Sequence, residues 1–526
     1  MELFITVAAF CALGMLLWDC VEVGRNDAAN IVNAVFGSRI LRRRTAVLVA
    51  GVAVVLGATV ATPVMETARK GIFEPGQLTL RMALAVYVSV YLVDTVLLYA
   101  YSAFGMPVST TACLVFELVG ASLGMYGLSQ VHAGTVGPDI VHWEKVGTVV
   151  SAIFVSILMS GIGGFLIQRV FRGAIRDGYQ DRETILLHGP WIAGLMLTWL
   201  AYFMLLKGLR GVSLVQYLRE QTVDVYGAVP ALLLTWAALT LAVHLLLTFS
   251  GPRGTRHLFH VTALLGMLCM AFAFGQNDLA NCASPGLSAL WLWQNAEKSV
   301  AMATKVDIPA WALFGCGLLI VFGMSTRHAQ RVTRAEVNTG SQFDHVALYA
   351  PKWCRAVARG LLWFRPKGEA LAPPPALTER GKKIHYDAMR ASVIMSVSAS
   401  VIALASSRGL PVSTTYVAFA AVVATGLADR VMARGDADLK IGRAIWVITS
   451  WFLAALIAMG ATAVVARTVY HLGIAGLALV LALNLAVRYF AKRRSDAQEE
   501  RVHGRLAAVG AEAVDEDEVA PQAGIA

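Results

Sequence analysis

Residues 24–30 read Gly24-Arg25-Asn26-Asp27-Ala28-Ala29-Asn30, and residues 275–281 repeat the pattern as Gly275-Gln276-Asn277-Asp278-Leu279-Ala280-Asn281. A second motif is also duplicated: it reads Gly105-Met106-Pro107-Val108-Ser109-Thr110-Thr111 and then Gly409-Leu410-Pro411-Val412-Ser413-Thr414-Thr415. Each copy lies in strongly apolar sequence, where polar side chains are costly and usually functional. Duplicated polar interruptions of apolar segments predict a substrate site shared by two structural repeats.

The apolar composition of the chain predicts an integral membrane protein. Of its 526 residues, 57% are hydrophobic and 15% are charged, whereas soluble domains carry about 25% charged residues. Many apolar segments are long enough to cross a bilayer as helices. We therefore predict an all-α polytopic membrane protein with roughly 10–12 transmembrane elements. The segments that begin at Pro107 and Pro411 are short, which favours broken or re-entrant helices.

The net charge of +10 does not indicate nucleic-acid binding, because the basic residues cluster in a few loops between apolar segments. Such clusters usually mark the cytoplasmic face of a membrane protein. The seven cysteines have no metal-ligand or disulfide spacing, so the sequence predicts no resident cofactor.

Charge bias predicts that the two halves have inverted topology. Arg39 and residues 42–44 make the segment after the first motif basic, whereas the equivalent segment after residue 281 is nearly balanced. In the next loop the bias is reversed, since residues 325–388 are strongly basic and residues 66–81 are balanced. Inverted repeats predict this reversal. It places the N-terminus outside the cell (inner or plasma) membrane and loop 325–388 in the cytoplasm.

These observations divide the chain into six predicted segments. They are the first repeat of the transport domain (1–170), connecting transmembrane helices (171–254), the first part of the second repeat (255–324), the basic loop (325–388), the remainder of the second repeat with the last helix (389–490), and a polar, disordered tail (491–526). Residues 348–364 mix aromatic and basic side chains. Either an interfacial amphipathic helix or a solvated loop would explain that mixture.

The four motif copies together resemble the inorganic phosphate transporter (PiT) family, whose usual wording is Gly-Ala-Asn-Asp-Val-Ala-Asn-Ala and Pro-Val-Ser-Thr-Thr-His. The resemblance implies a secondary transporter of inorganic phosphate, driven by symport of Na⁺ or H⁺ through alternating access. Another tetrahedral oxyanion, such as sulfate, stays open as the substrate. The chain departs from the family wording at five positions: Arg25, Ala112, Glu117, Gln276 and Tyr416.

The second motif suits an oxyanion, because Pro favours a first helical turn and Ser or Thr can satisfy free amides there. A helix that begins at mid-membrane directs N–H groups and a partial positive charge at an anion. The predicted phosphate-binding residues are Asn26, Asp27, Ser109, Thr110, Thr111, Asn277, Asp278, Ser413, Thr414 and Thr415. Arg25 is a further candidate, since guanidinium groups bind oxyanions well. It could instead neutralise Glu22 or Asp27.

Two aspartates need a separate explanation, because carboxylates repel phosphate. They could bind Na⁺ together with amide oxygens, or they could carry protons. The structural alternative is that each one caps a local helix break or pairs with Arg. An Asp at the bilayer centre costs roughly 2.5–3.5 kcal/mol, so we expect two at equivalent positions to function. The predicted coupling residues are Asp27, Asn30, Asp278, Asn281, Asp94 and Glu117.

The predicted partners are inorganic phosphate, a coupling cation and the lipid bilayer, without nucleic acid, and a homodimer is left open. Two other classes of protein have intramembrane carboxylates. An intramembrane aspartyl protease is disfavoured, because the chain has no Gly-x-Gly-Asp. A channel or receptor without coupling would fail to concentrate phosphate against a gradient.

Overall fold

The structure, a computed structural model, describes residues 3–61, 72–130, 134–175, 181–208, 213–295, 309–363, 371–379 and 381–508. Over these ranges the chain forms fifteen α-helices and two short β-hairpins. Helices of the first half are α1 (Leu3–Gly37), α2 (Arg43–Thr59), α3 (Leu80–Ala103), α4 (Thr110–Gly124), α5 (Trp143–Ile175), α6 (Arg182–Leu200) and α7 (Ser213–Tyr226). A hairpin of β1 (Ser129–Gln130) and β2 (Gly134–Thr135) lies between α4 and α5.

The second half begins with the longest helix, which is bent at Gly251. Its helices are α8 (Ala228–Gln294), α9 (Ala310–Met324), α10 (Arg327–Thr339), α11 (Lys352–Trp363), α12 (Ala388–Ser406), α13 (Thr414–Ala428), α14 (Ala437–Leu472) and α15 (Ile474–Ala508). The strands β3 (Ala376–Leu377) and β4 (Lys383–Ile384) pair antiparallel.

Helix lengths confirm the predicted membrane class. Among the described residues, eight helices are long and apolar enough to cross a membrane, and the bent pair α9–α10 makes a ninth crossing if it counts as one. The two short apolar helices, α4 and α13, bring the membrane elements to eleven. This total lies within the predicted range, and the described residues of the bundle are almost entirely helical.

Two helical hairpins enter the bundle from opposite ends. The first is α3–α4, and its open end contacts the last turns of α14, where Arg81 Nη2 donates to the Tyr470 carbonyl at 3.0 Å. The second is α12–α13, and the chain that leaves it contacts the first turn of α14, where Lys440 Nζ donates to the Val431 carbonyl at 3.4 Å. Since α14 is one continuous helix, the hairpins open in opposite directions. We call the end where α14 begins the basic end.

The turn of each hairpin is the second sequence motif. Gly105 and Gly409 have φ values of +64° and +67°, a left-handed conformation that glycine adopts without steric cost. Ser109 and Ser413 then cap α4 and α13, since each hydroxyl accepts a hydrogen bond from the backbone N–H three residues on. The prediction that Pro-Val-Ser-Thr-Thr starts a short helix is confirmed in both copies.

The first motif, in contrast, does not interrupt its helix. Residues 24–30 lie inside α1 and residues 275–281 lie inside α8, and the only non-helical backbone within α8 is at Gly251. The alternative that Asp27 and Asp278 cap local helix breaks is therefore wrong. Both carboxylates project from intact helices.

The leading glycine of that motif instead permits close helix packing. A Cβ at Gly24 would overlap the backbone carbonyl of Ile320 in α9, and a Cβ at Gly275 would overlap that of Val54 in α2. Small residues at helix contacts allow backbones to approach closely in membranes. The motif glycines thus hold α1 against α9 and α8 against α2.

The segments predicted as loop 325–388 and tail 491–526 contain ordered helices. Helix α10 is polar yet lies against α1, with Thr333 and Glu336 buried. Residues 352–363 form α11, so the helical alternative for that stretch holds. The predicted disordered tail is helical as far as Ala508, because α15 continues and Arg331 pairs with Asp496 at 2.6 Å. Residues 509–526 lie outside the described residues.

We expect Gly24→Ala and Gly275→Ala each to destabilise the protein by about 1–3 kcal/mol or more, because overpacking against a rigid backbone has few ways to relax. The measurement is the thermal unfolding midpoint in detergent. Gly161→Ala is the matched control, since no atom lies within 4 Å of its added Cβ. Equal midpoints for all three variants would contradict the packing role of the motif glycines.

Candidate functional site

The candidate site lies where α1 and α8 meet the tips of the two hairpins. In the first half, the Asn26 side chain pairs with the backbone of Val108: its Nδ2 donates to the carbonyl at 2.5 Å and its Oδ1 accepts from the N–H at 3.2 Å. This amide pair ties the first motif to the hairpin tip of the same half.

The second half repeats that pairing with the equivalent residues. Asn277 Nδ2 donates to the Val412 carbonyl at 2.7 Å, and Asn277 Oδ1 accepts from the Val412 N–H at 3.3 Å. The two half-sites therefore use the same side chain and the same backbone groups. We call them the first and second half-site.

Each motif carboxylate, however, is bound by a threonine from the other half. Asp27 Oδ1 accepts from Thr415 Oγ1 at 2.7 Å, and Asp278 Oδ1 accepts from Thr110 Oγ1 at 2.9 Å. Amides of the carboxylate's own motif complete each shell, with Asn30 Nδ2 at 2.9 Å and Asn281 Nδ2 at 3.3 Å. The crossed bonds join the two halves at the middle of the bundle.

The hairpin tips also bond to each other directly. Thr111 Oγ1 donates to the Val412 carbonyl at 2.9 Å, and Thr415 Oγ1 lies 3.3 Å from the Val108 carbonyl. The amides of Asn30 and Asn281 contact the same hydroxyls, Thr415 and Thr111 respectively. The tips thus interlock through two hydroxyls at repeat-equivalent positions.

The two motif carboxyl groups lie away from solvent and from the basic side chains of the described residues. Asp27 and Asp278 are fully buried. Neither makes an ion pair with any basic side chain in the described part of the chain. Four buried oxygens in the site also lack hydrogen-bond partners there: Asp27 Oδ2, Asn30 Oδ1, Asn281 Oδ1 and Thr414 Oγ1. The arrangement leaves oxygen ligands free in both halves.

The remaining predicted phosphate-binding residues lie nearby. Ser109 and Ser413 are buried as helix caps, and Thr414 is buried in the first turn of α13. Arg25 points elsewhere: its Nη1 donates to Glu22 Oε1 at 2.8 Å. Of the alternatives open for Arg25, the structure therefore favours the ion pair with Glu22, and its contact with substrate stays a prediction.

A separate group of buried acids lies beside the site. Asp94 of α3 and Asp19 of α1 are buried neighbours, and two adjacent carboxyl groups repel each other when both are ionised. Glu117 of α4 is fully buried, and neither of its carboxylate oxygens has a hydrogen-bond partner in the described structure. Sequence reasoning identified Asp94 and Glu117 but missed Asp19. The signal for Asp19 in the sequence was its position as a single acid within the apolar start of α1.

A second missed pair extends the site toward the basic end. Asn33 Nδ2 donates to Glu336 Oε1 at 2.5 Å, and both residues are buried. Asn33 continues the stripe of Asn26 and Asn30 along one face of α1, which was a readable signal. Glu336 gave no such signal, because it lies in a polar helix that sequence reasoning assigned to a loop.

The chemistry of the site is that of hard oxygen ligands. The described residues contain no group of three or more His, Cys, Asp and Glu side chains placed to hold a metal ion. Any cation at either half-site would therefore combine one carboxylate with amide, hydroxyl and carbonyl oxygens. Such mixed oxygen shells suit hard cations.

Comparison with known proteins gives the class to which this fold and site belong. A model of the phosphate transporter family matches residues 23–335 and 377–475, which is more than half of the chain. The chain therefore belongs to the phosphate transporter family. The matched ranges include all four motif copies and the start of α10.

Individual relatives agree with that assignment. A protein of Thermococcus kodakarensis whose name describes a phosphate permease is 29% identical over 441 residues, covering 83% of this chain and 91% of its own length. An inorganic phosphate transporter of Arabidopsis thaliana is 25% identical over 472 residues, covering 85% and 69% respectively. A solved structure of a sodium-dependent phosphate transporter shares the fold, with a TM-score of 0.63 and 20% identity, and the match covers 89% of this chain and 99% of that one.

We expect Asn26→Ala and Asn277→Ala to lower stability by similar amounts, about 1–3 kcal/mol each, because each removes the side-chain partner of a buried backbone N–H at a hairpin tip and one of the two donors to the carbonyl of the same residue. Thermal unfolding in detergent measures the effect. Asn338→Ala is the control, since the Asn338 side chain donates to the Arg334 carbonyl one turn back in its own helix and joins no hairpin tip among the described residues. A large loss for one motif asparagine with none for the other would show that the half-sites are not equivalent.

Proposed function

We propose that the protein is a secondary active transporter that carries inorganic phosphate across the membrane together with Na⁺ by alternating access. The observation that carries this proposal is the pairing of two buried, uncompensated carboxylates, Asp27 and Asp278, with helix N-termini suited to an anion. A site that must accept phosphate beside two carboxylates requires cations to enter with it.

The anion-binding part of the site is the pair of helix starts. Helices α4 and α13 begin at the hairpin tips and approach the centre from opposite ends of the bundle. Each N-terminus offers free N–H groups and a partial positive charge to a tetrahedral anion. Further hydrogen-bond donors are the threonine hydroxyls at the two helix starts, which all belong to the predicted phosphate-binding residues: Thr110, Thr111, Thr414 and Thr415.

The cation-binding part is the set of unpartnered oxygens. Asp27 Oδ2, Asn30 Oδ1 and Asn281 Oδ1 are buried without partners among the described residues, which fits a hard cation with oxygen ligands. Proton coupling has less support here, because Ala112 and Tyr416 replace the family's histidines and Tyr416 stacks on Trp451 at 3.8 Å. Membership of the family and the sodium-dependent neighbour in the same fold both favour phosphate with Na⁺.

The opposite entry of the two hairpins supports inverted repeats and alternating access. We assign 1–170 to the first repeat, and 255–324 with 389–490 to the second. Basic side chains gather at the end where α1 stops and α14 starts, which favours that end as cytoplasmic. The N-terminus then lies on the outer side of a cell (inner or plasma) membrane.

The direct test is radiolabelled phosphate uptake into proteoliposomes under an imposed Na⁺ gradient, a proton gradient, or neither. We expect accumulation only with Na⁺, and loss of at least about a hundredfold in initial rate for Asp278→Asn, since a lost charged ligand costs about 3 kcal/mol. Asp224→Asn, an exposed acid in α7, is the control and keeps the wild-type rate.

Sulfate in excess is added in a parallel assay and should leave uptake unchanged. Accumulation driven by a proton gradient alone would show that the coupling ion is H⁺ and not Na⁺. Absence of uptake under every gradient, from protein that unfolds at its normal midpoint, would reject phosphate symport.

The acids beside the site support a role in coupling that is separate from phosphate binding. Asp94→Asn and Glu117→Gln remove buried charge without touching either half-site. We expect the maximal rate of coupled uptake to fall about tenfold or more, with the KM for phosphate within about twofold of wild type. A raised KM with an unchanged maximal rate would instead make these acids part of the phosphate site.

A further inference from the structure

A cavity of about 480 Å³ opens at the basic end, beside the start of the first hairpin tip and outside the two half-sites. It lies between α11, the start of α14 and the last turns of α15. The side chains that line it include Tyr349, Arg355, Arg494, Gln498, Arg501 and Arg505. Its volume falls within the range of about 300–1,000 Å³ that is typical of small-molecule sites.

The charge of the cavity is strongly positive, because four arginines and no acidic residue line it. Two of the arginines are partly neutralised from outside: Arg355 pairs with Asp438 at 2.8 Å and Arg505 with Asp436 at 3.2 Å. Arg494 and Arg501 make no ion pair within the described ranges of the chain. Two guanidinium groups thus remain available to an anion in a partly enclosed space.

The cavity adjoins a helix that is built for a membrane surface. Trp353, Leu361 and Trp363 of α11 are exposed, while Cys354 and Ala358 face the protein. The Trp353 ring contacts that of Trp446 in α14 at a centroid distance of 6.3 Å. Exposed aromatic and apolar side chains beside basic ones are typical of helices at the headgroup level of a bilayer.

The wall of the cavity is also bonded to a hairpin tip. Phe104 lines the cavity, and the next residue, Gly105, begins the first Pro-Val-Ser-Thr-Thr turn. Arg443 Nη2 donates to the Gly105 carbonyl at 2.5 Å, and Arg443 Nη1 donates to the carbonyl of Tyr349, which lines the cavity, at 3.3 Å. An occupant of the cavity would therefore contact the segment that starts the first hairpin tip.

We propose that this cavity binds a group that carries two phosphates, held by Arg494 and Arg501 with help from Arg355 and Arg505. Guanidinium forks bind phosphate oxygens in pairs, and basic pockets between the helices of membrane proteins suit anionic lipid headgroups. The same chemistry is offered by the headgroup of diphosphatidylglycerol or by soluble pyrophosphate. The site is distinct from the one proposed for transported phosphate and does not depend on it.

Binding is tested on the full chain in uncharged detergent, by the shift in thermal midpoint and by native mass spectrometry. Saturating inorganic phosphate is present throughout, so that the transport site is already occupied. The probes are diphosphatidylglycerol, phosphatidylglycerol with its single phosphate, and pyrophosphate. The cavity variant is Arg494→Gln with Arg501→Gln. Its matched control is Lys492→Gln with Arg493→Gln, which removes equal charge from the same helix outside the cavity lining.

We expect a two-phosphate probe to bind wild type and the control at least about tenfold more tightly than it binds the cavity variant, and phosphatidylglycerol to bind weakly to all three. Response to diphosphatidylglycerol alone assigns the site to a lipid, and response to pyrophosphate alone assigns it to a soluble ligand. Failure of both probes with wild type, or equal binding by the cavity variant and its control, would overturn the proposal. Both readouts are independent of transport, so a failed uptake assay would leave this result unaffected.

Discussion

The structure depends on the burial of two carboxylates, Asp27 and Asp278, within an apolar bundle. Burial of a charge without partners is very costly, so each carboxylate must be surrounded by donors. Those donors are threonine hydroxyls on the hairpin of the other half, at 2.7 and 2.9 Å. The requirement brings both hairpin tips to the motif helices and makes each half incomplete without the other.

The same requirement bears on how the two hairpins are held in the bundle. Each hairpin is bonded to its neighbours at its open end: Arg172 pairs with Asp429 at 2.8 Å beside α12–α13, and Arg81 donates to the Tyr470 carbonyl at 3.0 Å beside α3–α4. The tips, in contrast, are joined through threonine hydroxyls, which bond to the motif carboxylates and to a backbone carbonyl of the other tip. The hairpins are thus held at opposite ends of the bundle, and their tips meet at the site.

The local features of the site were readable because they follow short-range rules. Pro-Val-Ser-Thr-Thr predicted a capped helix start, and Ser109 and Ser413 cap such helices. Composition and apolar segment length predicted the membrane class and the number of elements. What failed was the assignment of polar stretches to loops, because the burial of α10 against α1 depends on partners distant in sequence. Glu336 was missed for the same reason, since its partner Asn33 comes from another helix.

The sequence by itself determined that two equivalent polar motifs lie in a membrane bundle and that each second motif starts a short helix. These properties follow from local hydropathy, capping and repetition. Only the tertiary structure decided that the threonines cross between the halves, that the first motif leaves its helix intact, and that Arg25 turns to Glu22. These features depend on packing between segments that lie hundreds of residues apart in the chain. Gly24 and Gly275 allow helix backbones to touch, and the resulting contacts set the orientation of each polar side chain.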